Sequence, residues 1–203
     1  MKAPKSFFII FALLMVSFVN APSPLTKSER KFATKLLRQS KEDLIKVTKG
    51  LSTMQLNFKP DAVTWSVAEC VEHIALSENI FSASVRAALQ VPAEPQKRNK
   101  DRMSDEAIVE MITDRSYRVK TSEPFVPSGK FGSFDATVKE FVARRNNHIH
   151  YIQHTSVDLR SHYHEFPFGE LDAYQIIIFM AGHSQRHTEQ IKALMARPDF
   201  PND

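Results

Sequence analysis

The chain has 203 residues, enough for one core-forming domain, and its formal net charge of +4 is too mild to argue for a nucleic-acid or anionic-membrane partner. Its single cysteine, Cys70, excludes an internal disulfide. Five glycines among long stretches of 3.6-residue periodicity point to an all-helical protein.

Residues 1–21 read as a signal peptide. Lys2 and Lys5 make a basic start, Phe7 to Val19 is apolar apart from Ser17, and Val19-Asn20-Ala21 offers small residues to a signal peptidase. A run of about thirteen residues is short for a permanent membrane span. Pro22 is an awkward neighbour for a peptidase, which leaves the exact cut open, and the alternative to cleavage is an uncleaved anchor. Cleavage removes two lysines and no acids, which takes the net charge from +4 to +2. The expected product is exported, periplasmic or secreted, without stable membrane association, and residues 22–203 form one domain. Lacking disulfides, it relies on its apolar core, with a metal as a further staple.

Thr26-Lys27-Ser28-Glu29 is a capping box that predicts a helix over about 27–49, with Phe32, Leu36, Leu37, Leu44 and Ile45 on its apolar side and Gly50 as its stop. Residues 51–65 read as a connection. Ser66-Val67-Ala68-Glu69 is a second capping box, with Trp65 at the staple position against Cys70, and its helix runs to about Gln90. The buried stripe there is Val67, Val71, Ile74, Phe81 and Val85. His73 borders that stripe, and Glu72 points well away from it. Glu78 falls inside it, where a carboxylate needs a partner or a raised pKa. An interhelical ion pair is the plainer reading of Glu78, a catalytic carboxylate the other.

Residues 91–103, with Pro92 and Pro95, form a loop, and Ser104 caps a shorter helix over roughly 105–119. A second loop spans 121–132. Ser133 opens a helix over about 134–155, whose stripe is Phe134, Val138, Phe141, Val142, Ile149 and Ile152. A turn region over 157–170 leads to the last helix, about 171–196. Four long helices, one short helix and loops predict an all-α four-helix bundle.

The last helix carries His183 and His187, four residues apart and therefore one turn apart on one side. At about 100° per residue, Ile176, Phe179, His183, His187, Gln190 and Leu194 share an arc of roughly 80°, so both imidazoles face the core. Two histidines stacked on a core face suit a divalent metal, with core histidines hydrogen-bonded to other helices as the bland alternative. His150 and His154 have the same spacing but point away from their stripe, toward solvent. A tetrahedral ion needs more than two donors. His73 is the best third donor and His148 the reserve. Three histidines leave one position open, as in catalytic rather than structural zinc sites. Gln190 and Arg186 border the site face. Gln190 is placed to bond a ligand histidine or metal-bound water, and Arg186 to meet an anionic substrate or, more plainly, to pair with Glu78 or another carboxylate. No residue stands out as a general base.

Three patches resemble the DinB-like helical bundle proteins. They are Thr64-Trp65-Ser66 leading to His73, Phe168-Gly169-Glu170-Leu171-Asp172-Ala173, and Gly182-His183 through Arg186-His187 to Gln190-Ile191, which matches the family's closing His-x-x-x-His-x-x-Gln signature. With the bundle pattern, the likeness covers most of residues 25–195. The resemblance implies that His73, His183 and His187 are the three metal ligands and that the ion is zinc, nickel or similar. It further implies a metal-dependent hydrolase or a transferase of low-molecular-weight thiols, acting on a small molecule. Those thiols are cytosolic, so a signal peptide counts against the thiol reading. Family members are often dimeric, although no stripe here demands a homodimer. The alternative is a non-catalytic metal- or ligand-binding bundle.

Overall fold

A computed structural model of the chain describes residues 24–98, 103–116 and 120–202. The expected signal peptide lies outside the described residues, as do residues 117–119.

The capping boxes open the helices where the sequence places them. Thr26 accepts from the Glu29 N–H while the Glu29 carboxylate takes the Thr26 N–H, at the start of α1 (Lys27–Thr48). The stretch read as a plain connection holds a short helix, α2 (Thr53–Asn57), with its own Ser52–Gln55 box. Five residues are too few to leave a 3.6-residue pattern. Ser66 and Glu69 form the same reciprocal pair ahead of α3 (Val67–Gln90). The next helix, α4 (Asp105–Thr113), starts at the Ser104 cap but ends short of the expected 119. Asp114 stops it, because its carboxylate turns back to the N–H and O–H of Ser116.

After α5 (Phe134–His154), the expected turn region contains a hairpin, β1 (Tyr163–Phe166) and β2 (Gly169–Asp172). The strands are antiparallel and Phe166 pairs with Gly169 around Pro167 and Phe168. That turn lacks the Asn-Gly or Asp-Gly signal that marks hairpins in a sequence. The last helix, α6 (Ala173–Met195), therefore begins later than 171, since Leu171 and Asp172 still pair in β2. Asp172 then caps it by accepting from the Gln175 N–H.

The four long helices α1, α3, α5 and α6 form a four-helix bundle. Helix α6 packs against α1 and α3, and α5 packs against the same two helices. The chain-consecutive pairs α1/α3 and α5/α6 therefore sit on the diagonals. Helix α4 covers α6 from outside. As a result every residue from Ala173 to Ser184 is buried, and this half of α6 has no polar face. At Gly182 the approach is so close that a Cβ would stand 2.4 Å from Ile112 Cγ2. Two apolar clusters fill the interior, one around Ile176 to Ala181 and one joining Val67 to Ala75 with Ile191 and Leu194. Among the described residues, no helix is long and apolar enough to cross a membrane.

Candidate metal centre

The Ser66–Glu69 box sets the start of α3, which puts His73 two turns in, on the side that meets α6. His183 and His187 stand one turn apart on the facing side of α6. The packing of the two helices brings the three imidazoles together. His73 Nε2 is 3.2 Å from His183 Nε2 and 3.1 Å from His187 Nε2. Two imidazole nitrogens on one tetrahedral zinc are about 3.3 Å apart, so the spacing fits a common ion. Among the described residues, these three form the histidine, cysteine and carboxylate group compact enough to hold a metal.

The protons argue the same way. His73 Nδ1 donates to the Phe125 carbonyl at 2.7 Å, and a carbonyl can only accept. In a neutral ring that leaves the His73 Nε2 lone pair facing two other ring nitrogens. His187 Nδ1 meets Gln190 Oε1 at 2.9 Å, which turns its own Nε2 lone pair inward as well. Two lone pairs at 3.1 Å have no proton between them, and a cation satisfies both.

The rings are held neutral. Burial lowers His73 below the ordinary histidine value, against an opposing pull from the Phe125 carbonyl. Burial, then the neighbouring His187 and His73, puts His183 well below it. His187 is pushed down to about 3, first by burial and then by His73. Neutral imidazole is the form that ligates metals.

Aromatic rings wall the cluster. Trp65 packs with the Cys70 cluster, as its staple position implied, but its ring also lies 4.8 Å from the His73 ring and 6.3 Å from that of His187. Phe81 meets the His183 ring edge-on at 5.3 Å, and Phe179 stacks with it at 6.5 Å. His183 Nδ1 is buried without a hydrogen-bond partner, so this packing orients the ring. The Cys70 thiol is buried and pushed up to about 12, chiefly by burial, which keeps it inert.

The remaining candidates are dispersed. Glu78 makes an interhelical ion pair with Arg145 of α5, and His148 Nδ1 meets Glu78 Oε2 at 2.9 Å, away from the three imidazoles. Arg186 does not pair with Glu78; it donates to the backbone carbonyls of Ile112 and Asp114 at the end of α4, which lies against α6. His150 and His154 are exposed, in keeping with their facing. Glu69 caps α3 and pairs with Lys59 at 2.8 Å. Glu72 corrects the sequence reading. Its side chain is buried and accepts three backbone N–H groups of the loop before α5.

Arg145 is the residue that the sequence reading passed over. It is fully buried, and it donates to Glu78 on α3, to Leu37 O and Ser40 Oγ on α1, and to Ser184 Oγ on α6, beside His183. The signal was present: Arg145 stands four residues after Phe141 and four before Ile149, on the buried stripe.

The DinB superfamily profile matches residues 36–191 of this chain. Among solved structures, the fold is similar to YfiT from Bacillus subtilis, described as a probable metal-dependent hydrolase with an unusual four-helix bundle topology. The TM-score is 0.55 at 12% sequence identity, over 87% of this chain and 91% of that one, a likeness of fold. No curated protein matches the chain. On the profile match, which spans most of its length, the chain belongs to the DinB superfamily.

Proposed function

We propose that this chain is an exported protein that binds a divalent ion, zinc or nickel, through the Nε2 atoms of His73, His183 and His187, and acts as a metal-dependent hydrolase on a small molecule. The observation that carries this reading is the convergence of the three Nε2 atoms at 3.1 and 3.2 Å around His73, with the Nδ1 atoms of His73 and His187 already committed. The description of YfiT agrees with it. A bound divalent ion supplies Lewis acidity and makes a nucleophile of water or a thiol near neutral pH, so thiol transfer draws on the same chemistry. The chain's own residues prepare the site. The Phe125 carbonyl and Gln190 hold two of the rings, and Trp65, Phe81 and Phe179 pack against the imidazoles.

A non-catalytic metal binder is the second reading. It is favoured by the carboxylates of Glu69, Glu72 and Glu78, each committed to a partner away from the imidazoles.

Elemental analysis of untagged residues 22–203, beside the His187→Ala variant, tests the centre. Near-stoichiometric zinc or nickel is expected in the parent and should be largely lost in the variant. An empty parent that refuses added zinc would sink the proposal. A panel of small ester, amide and thiol substrates then separates the two readings, since only a hydrolase or transferase turns one over in a metal-dependent way. Recovery from the periplasm or medium with an N-terminus near Pro22 tests export.

A further inference from the structure

Glu72 precedes His73 on α3, and the two side chains grip the same loop. The Glu72 carboxylate accepts from three successive backbone N–H groups, Ser128 at 3.1 Å, Gly129 at 2.9 Å and Lys130 at 2.7 Å. Successive N–H groups aimed at one centre make an anion-binding concavity. Gly129, at φ 76°, supplies the left-handed residue that lets them converge. Among the described residues, no lysine or arginine pairs with Glu72, so the loop backbone is its counterpart.

A few residues earlier the same loop carries Phe125. Its carbonyl takes the His73 Nδ1–H at 2.7 Å, and its ring lies 6.1 Å from the His73 ring and 5.8 Å from that of Phe81. A single 3-10 turn, Glu123–Phe125, closed by the Val126 N–H on Glu123 O, ends at this carbonyl, and only Val126 and Pro127 separate it from Ser128. Adjacent residues of one helix thus hold one loop from both sides of its hydrogen-bonding capacity. Glu72 takes its donors, and His73 gives to its acceptor.

We propose that Glu72 is the positioning residue for His73: by docking the loop through Ser128 to Lys130 it keeps the Phe125 carbonyl on His73 Nδ1, and so fixes the ring with Nε2 turned to His183 and His187. This rests on the metal-centre reading and deepens it. Glu72 touches neither the imidazoles nor an ion, and acts only through the loop. A direct hydrogen-bond partner of a ligand histidine is worth roughly 10- to 100-fold in metal affinity, and Glu72 acts through one, the Phe125 carbonyl.

The test compares the parent with Glu72→Gln, which keeps the size but loses the charge and one acceptor oxygen. Glu69→Ala is the control, since it removes the side-chain half of the capping box of the same helix without touching the loop. Zinc affinity is read by chelator competition. Ring nitrogen shifts of His73 and amide exchange at residues 128–130 are read on the metal-free proteins. Glu72→Gln should lose about 10- to 100-fold in zinc affinity, exchange those amides faster and let His73 populate both tautomers. Glu69→Ala should lower the melting temperature and leave all three readings at parental values.

Parental zinc affinity with an unchanged His73 tautomer in Glu72→Gln overturns the proposal and leaves the metal centre standing. A parent that binds no zinc overturns the metal centre instead. The metal-free readings then decide the loop clamp alone: unchanged values overturn it, and a shift upholds it as the device that orients His73. Should Glu72→Gln fail to fold, Gly129→Ala disturbs the same concavity from the loop side and is judged by the same readings.

Discussion

The bundle interior holds two polar clusters assembled on opposite principles. Around Arg145 every donor has an acceptor: the guanidinium reaches Glu78 twice, Leu37 O, Ser40 Oγ and Ser184 Oγ, and joins all four long helices. Around His73 three neutral imidazoles turn their Nε2 atoms on one another, with too few protons for the lone pairs. The first cluster is complete as folded; the second leaves the Nε2 lone pairs of His73 and His187 facing each other at 3.1 Å. Buried polar groups of the first kind cement a fold, and those of the second kind mark a site.

Breaking the complete cluster should have the largest effect. Arg145→Met leaves Glu78 charged and buried without its partner, and about 3–5 kcal/mol of stability should be lost in urea unfolding. The double variant Arg145→Met/Glu78→Met should recover much of that loss. A double variant as unstable as the single one would show that the network does more than satisfy itself.

The incomplete cluster should respond to pH. All three histidines have folded-state values below the unfolded value of about 6.5, so the metal-free chain binds fewer protons folded than unfolded as the pH falls. Their contribution is intact above pH 6.5 and lost progressively below it, for His187 down to about 3. Asp172 works in the opposite sense, because burial raises it to about 6 and the folded chain takes up its proton first. Comparison with His187→Ala removes that background. Between pH 6.5 and 4.5 the metal-free parent should lose stability faster than His187→Ala by roughly 1.4 kcal/mol per pH unit. Parallel profiles would show that His187 is not held neutral.

The smallest effect tests the border between the clusters. Ser184→Ala leaves one Arg145 N–H without its acceptor and should cost about 1–3 kcal/mol. Zinc affinity should not change, although Ser184 adjoins His183. A change in affinity would mean that the two clusters are coupled.

Much of both clusters could be read in the chain. The capping boxes located α1 and α3, and the helical wheel separated the inward pair His183/His187 from the outward pair His150/His154. Glu78 declared itself as a carboxylate in an apolar stripe, but its partner was sought in Arg186 rather than Arg145. In the run Arg144-Arg145-Asn146-Asn147, Arg145 resembles a solvated charge, and only its register with Phe141 and Ile149 distinguishes it. Glu72 gave no such sign. Its partners are backbone N–H groups of a distant loop, and backbone groups carry no residue identity.

The sequence by itself determined the helices and which of their faces are apolar, because caps and 3.6-residue periodicity are local properties of the chain. It also nominated the three histidines. Only the tertiary structure decided that α3 and α6 meet so that His73 faces His183 and His187, that α5 sends an arginine to the centre of the bundle, and that a loop carbonyl sets the His73 tautomer. Those outcomes depend on contacts between segments far apart in the chain, which the packing of whole helices selects and no local pattern encodes.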